Sequence, residues 1–212
     1  MKINSELKKY ILSHTSPESK LLAELSRETQ AKVLMSRMLS GHLQGRVLSM
    51  ISKIIKPKLI AEIGTYTGYS ALCLAEGLQA GGILHTIDIN DELENFILHF
   101  FNKSEYKNQI KLHIGNALDI IPKLPDNIDL VFIDADKRIY LEYYRLIVDK
   151  VRKGGIILAD NVLWGNKVIK PIRPNDEYTK GIQEFNDFVH QDSRVENLIL
   201  PVRDGIMMLR KI

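Results

Sequence analysis

The sequence predicts an α/β fold in which a doubly wound, mostly parallel sheet follows a helical N-terminal arm. From about residue 58 onwards, apolar segments of strand length alternate with segments of helical periodicity, an order typical of parallel sheets. Two short apolar segments end the chain with Asp204-Gly205 between them, which is a strong signal for an antiparallel hairpin. A length of 212 residues suits one domain, so we predict residues 1–56 as the arm and residues 57–212 as the core of a single domain.

The arm is predicted from apolar residues that recur at helical spacing between Asn4 and Ile55. Ser16-Pro17 is typical of a helix start, with serine as the cap and proline in the first turn. Pro57 marks the end of the arm.

The core elements follow in order. The predicted strands are residues 59–63, 83–88, 110–114, 128–133, 155–159, 198–200 and 206–209. The predicted helices are residues 69–78, 91–102, 117–124, 139–151 and 179–191. The polar segment 167–180, which contains Pro171 and Pro174, is predicted as a mobile loop over the site.

Composition excludes some classes of protein. The formal net charge is +3 and the charges are interspersed, which argues neither for nor against a nucleic-acid partner. Cys73 is the only cysteine, so an internal disulfide and a cysteine-cluster zinc site are excluded. The polar N-terminus and the absence of a long apolar run predict a cytoplasmic protein without a membrane span.

Carboxylate and amide side chains follow two of the predicted strands. Asp134 follows one apolar run, and Asp160-Asn161 follows the next. Because the carboxyl ends of parallel strands open onto the ligand crevice, these oxygens predict a site for Mg²⁺, Ca²⁺ or Mn²⁺. Neighbouring side chains on a strand point to opposite faces, so Asp160 and Asn161 share a metal only if the strand ends there in a turn. An Asp-Asn turn without metal is the alternative.

A glycine-containing loop follows the first strand. Gly64 and Gly68 allow close approach of the backbone to a ligand, although their spacing is not that of a dinucleotide-binding motif. Asp88 ends the second strand, where an acid accepts hydrogen bonds from ribose hydroxyls. Together they indicate a nucleoside-containing cofactor; a simple turn at Gly64 and a helix cap at Asp88 are the alternatives. Glu62, in an apolar strand, is expected to bind the loop's N–H groups or the cofactor's ammonium group.

Lys137 lies three residues after Asp134 and is a candidate general base in the same cleft; a solvated loop lysine is the alternative. Asp136 is either a helix cap or a partner that orients Lys137. Trp164 either forms a wall for an aromatic acceptor or packs in the core. Four histidines have no ligand spacing and are assigned no chemistry: His42, His85, His99 and His113.

Several of these segments together resemble the signature blocks of a known family. They are EIGTYTGYS at residues 62–70, FIDADK at 132–137, DNVLW at 160–164 and LPVRDGI at 200–206. Their order and spacing are similar to those of the metal-dependent O-methyltransferases that use S-adenosylmethionine (SAM), the catechol and caffeoyl-coenzyme A O-methyltransferase family. The resemblance covers residues 38–212.

The resemblance implies the class I methyltransferase fold, a Rossmann-like, seven-stranded sheet with an antiparallel last hairpin. It implies a donor site formed by Glu62, Gly64, Tyr66, Ser70, Asp88, Ala117 and Asp134. It also implies Asp134, Asp160 and Asn161 as metal ligands, often for Mg²⁺, and Lys137 with Asp134 as catalytic residues. Members of the family are commonly homodimers.

The leading hypothesis is therefore SAM- and metal-dependent O-methylation of a vicinal-diol, catechol-like phenolic acceptor, in which a chelated cation acidifies the reacting hydroxyl. The alternative within the family is methylation of 5-hydroxyuridine in tRNA. In that case cationic side chains of the 167–180 segment are expected to contact phosphates, namely Lys167, Lys170, Arg173 and Lys180. A non-catalytic, cofactor-binding module is the third hypothesis.

Overall fold

The structure is a computed structural model that describes residues 4–212, so residues 1–3 of the predicted arm lie outside it. The strands are β1 Leu59–Ile63, β2 Ile83–Asp88, β3 Ile110–Ile114, β4 Ile128–Ile133, β5 Val151–Asp160, β6 Val195–Leu200 and β7 Ile206–Lys211. The α-helices are α1 Ser5–Ser13, α2 Lys20–Lys32, α3 Gly41–Ile55, α4 Tyr69–Ala75, α5 Glu94–Lys103, α6 Ala117–Ile120, α7 Tyr140–Ile147 and α8 Glu177–Gln191.

The strands form one seven-stranded sheet in the order β3-β2-β1-β4-β5-β7-β6. The first five strands are parallel, and β7 runs antiparallel to both β5 and β6. The predicted sheet with its C-terminal antiparallel hairpin is therefore confirmed. The strand order reverses between β1 and β4, and at such a switch point the crevice for a ligand opens beyond the carboxyl ends of the strands.

The sheet is covered on both faces. Because side chains alternate along a strand, Ile63 and Val131 pack into one core cluster and Ile60 and Phe132 into the other. Helices α6, α7 and α8 contribute to the first cluster, and α2, α3, α4 and α5 contribute to the second. Both faces of the central strands are buried, which explains the continuous apolar runs in the sequence.

The N-terminal arm is helical, as predicted, and its parts differ in burial. Leu22 and Leu25 of α2 and Leu48 of α3 are buried in the second cluster, whereas α1 has no buried residue. The predicted helix start at Ser16-Pro17 is wrong, because α2 begins at Lys20. Ser19 is its cap, and the Ser19 hydroxyl accepts from the Leu22 N–H at 3.2 Å.

Some predicted boundaries also shift. Strand β5 begins at Val151 rather than near residue 155, because Val151 pairs with Ile128 before a register shift in the ladder. The segment predicted as a loop over residues 167–180 is partly helical, since a 3-10 helix spans Trp164–Ile169 and α8 begins at Glu177. Within residues 4–212, no helix has the length and apolarity to cross a membrane.

Candidate active site

The candidate site lies where β1, β4 and β5 end side by side. The sheet register pairs Ile63 with Ile133 and Ile133 with Ala159. Asp134 follows β4 directly, and Asp160 is the last residue of β5. The structure therefore brings Asp134 and Asp160, 26 positions apart in the sequence, to neighbouring strand ends.

Asp134 is held through its backbone and its side chain. Its N–H donates to the Ile63 carbonyl at 2.8 Å, which ties the end of β4 to the end of β1. Its Oδ1 accepts from Lys137 Nζ at 2.7 Å, and both side chains are largely buried, with exposed fractions of 19% for Asp134 and 14% for Lys137. Lys137 thus contacts Asp134 and is not a solvated loop lysine.

Asp136 is the helix cap. Its Oδ1 accepts from the Arg138 N–H at 3.0 Å and begins the 3-10 helix at Lys137–Ile139. The Arg138 guanidinium donates to the same carboxylate, so Asp136 is occupied by Arg138. Lys137 instead faces Asp134.

Asp160 is 3% exposed. Its Oδ2 accepts from Gln44 Nε2 at 2.6 Å, while its Oδ1 is buried with no hydrogen-bond partner. Burial, and then the negative charge of Asp134, raise the pKa of Asp160 to about 7. A carboxylate oxygen enclosed without a partner is costly, and a positively charged or donating group at this position would satisfy it.

Asn161 lies in a turn. Its φ of +62° is in the left-handed region, which asparagine tolerates better than most residues, and its carbonyl accepts from the Trp164 N–H at 3.0 Å. Because β5 has ended at Asp160, the two neighbouring side chains are released from the alternation of a strand. The strand thus ends in a turn, which is required if Asp160 and Asn161 are to bind the same metal. Within the described range 4–212, no group of three or more His, Cys, Asp or Glu side chains is placed to hold a metal. The predicted metal ligands are therefore the carboxylates of Asp134 and Asp160 and the amide of Asn161.

Glu62 is fully buried in β1. Its Oε2 accepts from the hydroxyl of Thr86, its cross-strand neighbour on β2, at 2.5 Å, and its Oε1 is buried without a partner. Burial raises its pKa to about 8, against the lowering effect of the nearby Ser70 and Thr86 hydroxyls. A second unsatisfied carboxylate oxygen therefore lies at the start of the glycine-containing loop.

Gly64 is required by its backbone and by its surroundings. Its φ is +102°, and a Cβ at this position would lie 2.1 Å from the Asp134 carbonyl oxygen. The loop after β1 therefore runs directly against the segment that carries Asp134. Gly64 is not a simple turn residue, because no larger side chain fits there.

Asp88 organises the same loop. Its Oδ2 accepts from the Tyr66 N–H at 2.6 Å and its Oδ1 from the Asn90 N–H at 2.9 Å. The following helical turn is capped by Asn90 instead, so Asp88 is not that cap. Tyr66 has a φ of +51°, and its hydroxyl donates to the Leu34 carbonyl at 3.0 Å, which brings the N-terminal arm to the loop.

Ser70 and Ala117 complete the predicted donor-site residues. Ser70 lies in the first turn of α4 and is 6% exposed. Ala117 is the first residue of α6 and is 9% exposed, with Asn116 as the helix cap. Both lie just beyond the carboxyl end of a strand, β1 for Ser70 and β3 for Ala117.

The sequence model of the O-methyltransferase family matches residues 12–212 of this chain. The chain belongs to the O-methyltransferase family. The caffeoyl-CoA O-methyltransferase 5 of Nicotiana tabacum is 35% identical over 209 residues, which cover 92% of this chain and 85% of that protein. The resemblance stated from the sequence motifs is thereby confirmed.

Two solved structures of O-methyltransferases are similar to this one over nearly their whole length. The O-methyltransferase from Bacillus cereus in complex with SAH has a TM-score of 0.91 at 26% identity and covers 98% of this chain and 97% of its own. The O-methyltransferase TomG from Streptomyces achromogenes, in complex with SAM, has a TM-score of 0.89 at 26% identity and covers 97% of this chain and 96% of its own. The class I methyltransferase fold predicted from the motifs is confirmed.

Sequence reasoning missed two residues of the site. Gln44 donates to Asp160 across 116 positions of sequence, and Arg203 donates to Gln44 across 159 positions. Gln44 lies outside the motif blocks, and Arg203 lies inside the block at residues 200–206 but carries no predicted role, so only the folded chain reveals their contacts.

Two histidines that were assigned no chemistry also meet in the structure. His85 Nδ1 and His113 Nε2 are 2.9 Å apart on the neighbouring strands β2 and β3. Burial lowers the pKa of both side chains, that of His85 to about 4. They are remote in sequence from the motif blocks, and His113 is only half-buried.

Trp164 packs against the first core cluster and stacks on Tyr178, with ring centroids 5.9 Å apart and an angle of 15° between the planes. Its indole N–H is buried without a partner. Core packing is therefore part of its role.

Proposed function

We propose that the chain catalyses the SAM-dependent, divalent-cation-dependent O-methylation of one hydroxyl of a vicinal-diol, catechol-like small molecule. The observation that carries the proposal is the arrangement at the ends of β4 and β5. Asp134 and Asp160 are neighbours there, Asn161 follows in a turn, and Asp160 Oδ1 is buried without a partner.

The residues fit a hard divalent cation. Two carboxylates and an amide supply oxygen donors only, which suit Mg²⁺, Ca²⁺ or Mn²⁺ better than softer metals. When bound at Asp134, Asp160 and Asn161, such an ion supplies a positive charge that lowers the pKa of a coordinated hydroxyl. Burial raises the pKa of Asp160, and a cation bound there would favour the ionised form of this acid.

The residues also fit the methyl donor. The buried Oε1 of Glu62 lacks a partner, and an ammonium group would satisfy it. The absence of a side chain at Gly64 permits close approach along the loop, and Asp88 holds that loop through the Tyr66 N–H. Ser70 and Ala117 are proposed to complete the donor's surroundings. The SAM and SAH bound to TomG and to the Bacillus cereus enzyme support this assignment.

Lys137 is proposed as the group that takes the proton from the acceptor hydroxyl. Its Nζ lies 2.7 Å from Asp134 Oδ1 and 5.6 Å from the centre of the Tyr140 ring. Asp134 thereby fixes the position of the Lys137 nitrogen, whose ammonium form must first lose a proton to solvent before it can act as a base, and the capped helical turn at Lys137–Ile139 fixes its backbone. A base held in this way needs no rearrangement when the acceptor arrives, which is the advantage of positioning. When bound, SAM would supply a methyl group activated by its bond to the sulfonium, and the neutral thioether SAH would be the leaving group.

A planar phenolic acceptor is favoured by the aromatic pair of Trp164 and Tyr178, which stacks beside the turn of Asn161. The tobacco relative is named as a caffeoyl-CoA O-methyltransferase, and caffeoyl groups carry two adjacent hydroxyls. We therefore propose adjacent hydroxyls as the feature that this site selects.

The tRNA alternative gains no support. Of the four cations expected to contact phosphates, Lys167 lies 3.2 Å from Asp176 and Lys180 lies 3.9 Å from Glu177. These carboxylates compete with a phosphate for the same ammonium groups. No further observation favours this function.

Assembly as a homodimer stays a proposal from the family resemblance, and location in the cytoplasm stays a proposal from the sequence composition. Exposed apolar side chains of the arm support the homodimer, because Tyr10 of α1 is 61% exposed and Leu34 is 89% exposed. Equilibrium sedimentation of the purified chain, compared with a Tyr10→Ser and Leu34→Ser variant, tests it. Loss of the dimer in the variant is expected, and a monomeric wild-type chain would contradict it.

The proposed function is tested with labelled SAM and pairs of matched acceptors. Catechol and caffeoyl-coenzyme A are expected to accept the methyl group, whereas resorcinol, whose hydroxyls are not adjacent, is not. A chelator should abolish turnover and Mg²⁺ should restore it. An Asp134→Ala variant should be inactive while a variant of the exposed Asp187, Asp187→Ala, keeps its activity. Turnover that survives both chelation and Asp134→Ala would contradict the metal dependence. Methylation of hydroxyuridine tRNA without methylation of any catechol would contradict the small-molecule acceptor and favour the tRNA alternative.

A further inference from the structure

Gln44 is a fully buried amide that reaches the candidate metal site from the N-terminal arm. It lies in the first turns of α3 and is 0% exposed. Its Nε2 lies 2.6 Å from Asp160 Oδ2. Buried amides in proteins use their donors and acceptors, and Gln44 uses one of each on residues far away in the sequence.

Arg203 determines which way the amide points. Its Nη1 lies 2.8 Å from Gln44 Oε1, and a guanidinium has donors only. The carbonyl oxygen of Gln44 must therefore face Arg203, and its NH₂ group must face Asp160. Arg203 is itself anchored, because the same guanidinium donates to the backbone carbonyls of Leu39 and Ser40.

The two carboxylate oxygens of Asp160 therefore have different surroundings. Oδ2 is held by a donor of fixed orientation, and Oδ1 is left buried and unpaired. A carboxylate with one oxygen fixed cannot rotate freely about its last bond, so the direction in which Oδ1 presents its lone pairs is also fixed.

The turn between β6 and β7 is hydrogen-bonded to the segment that follows β5. Asp204 Oδ1 accepts from the Gly165 N–H at 2.7 Å, and the Asp204 carbonyl accepts from the Leu163 N–H at 2.9 Å. Arg203 adopts a φ of +51° in this turn, a conformation that disfavours arginine. The strained residue is thus the one whose side chain orients Gln44.

We infer that Gln44 is a positioning residue that orients Asp160 for a divalent cation, and that Arg203 acts through Gln44 by fixing its amide. The inference rests on the proposed function, since it presumes that Asp160 is a metal ligand. Hydrogen bonds to metal ligands commonly set metal affinity in this manner.

The competing explanation is that Gln44 merely ties α3 to β5. Both roles predict a less stable protein when the hydrogen bonds are removed. Only positioning predicts a loss of metal affinity in the folded protein, so the affinity for metal in the absence of donor and acceptor separates the two.

The experiment measures the binding of Mn²⁺ to the purified, metal-free chain by the electron paramagnetic resonance signal of free Mn²⁺, with thermal unfolding recorded alongside. Gln44→Met keeps the length of the side chain and removes both hydrogen bonds. Arg203→Met removes the guanidinium at an exposed position, which keeps the test available if the core variant does not fold. Ser52→Ala, another buried polar residue of α3, is the matched control, because its hydroxyl donates to the Leu74 carbonyl at 2.6 Å and not to Asp160.

We expect Mn²⁺ to bind Gln44→Met about 10- to 100-fold more weakly than the wild-type chain, with a smaller loss in Arg203→Met. The double variant should lose no more than Gln44→Met alone, because Arg203 acts through Gln44. Ser52→Ala should bind Mn²⁺ as the wild-type chain does.

Two results overturn the inference, and they are distinguishable. In the first result, the wild-type chain binds Mn²⁺ and the folded Gln44→Met variant binds it equally well. The folded Arg203→Met variant takes its place if Gln44→Met does not fold. The positioning role is then wrong, and the proposed metal site stands. If the wild-type chain binds no Mn²⁺, the proposed site fails and the inference fails with it.

Discussion

Replacing Gly64 with alanine tests how tightly the loop after β1 is packed against the segment that carries Asp134. The added Cβ would lie 2.1 Å from the Asp134 carbonyl oxygen and 2.7 Å from its carbonyl carbon. Ordinary van der Waals contact begins at 3.4 Å, so the two backbones must separate by about 1.3 Å, the difference between 3.4 Å and 2.1 Å. Both atoms belong to backbone, which cannot swing aside as a side chain does.

The cost has two parts. Overpacking of a close contact costs about 1–3 kcal/mol, and the positive φ of +102° costs an L-residue about 1–2 kcal/mol more. We therefore expect Gly64→Ala to lower the free energy of unfolding by about 2–5 kcal/mol. A displacement of about 1 Å at a catalytic position costs on the order of 100-fold in rate, so turnover by the folded fraction should fall by a similar factor.

Gly81→Ala is the matched control. Gly81 also has a positive φ, +74°, but a Cβ there would meet nothing within 4 Å. It should lose only the backbone cost of about 1–2 kcal/mol and keep full activity. Urea unfolding and methyl transfer from labelled SAM measure both effects. If Gly64→Ala is no less stable than Gly81→Ala, or turns over acceptor at the wild-type rate, the loop does not constrain Asp134 as described.

The remaining predictions concern single titratable side chains. Lys137→Met should lower kcat by about 100- to 10,000-fold, while Arg138→Met, whose guanidinium pairs with Asp136, should keep most of it; equal losses would exclude Lys137 as the base. The lowered pKa values of His85 and His113 mean that the unfolded chain binds more protons between pH 6.5 and about 4, so the free energy of unfolding should fall as pH falls through that window. Urea unfolding at pH 7 and pH 5 measures this loss of stability, which should be smaller in His85→Gln than in the wild-type chain. An unchanged pH dependence in the variant would refute this prediction. Because the buried carboxyl of Glu62 has its pKa raised to about 8, Glu62→Gln should leave stability near pH 7 nearly unchanged or higher, while calorimetry should show weaker SAM binding; undiminished SAM binding would remove Glu62 from the donor site.

Much of the fold follows from local sequence pattern. The strands that end at Ile63, Asp88 and Ile133 are buried over most of their length, and apolar residues predominate in the first and the last of them, so their positions are visible in the sequence. Boundaries set by pairing are less visible. Val151 reads as the end of a helix by periodicity, but its pairing with Ile128 places it in β5.

The candidate site divides in the same way. Asp134, Asp160 and Lys137 were predicted because they follow apolar runs or lie near one in the sequence. Gln44 and Arg203 were not, because their contacts with the site span more than a hundred positions and depend on how α3 and the last hairpin pack. The choice between a cap and an orienting partner for Asp136 also required the structure, since both roles use the same residue type at the same position.

A crystal grown with Mn²⁺ and examined by anomalous scattering would locate the cation directly. We predict a single strong peak within coordination distance of carboxylate oxygens from Asp134 and Asp160 and of the Asn161 side-chain oxygen. An absent peak at millimolar Mn²⁺, or a peak elsewhere with these three side chains unliganded, would contradict the proposed metal-dependent reaction.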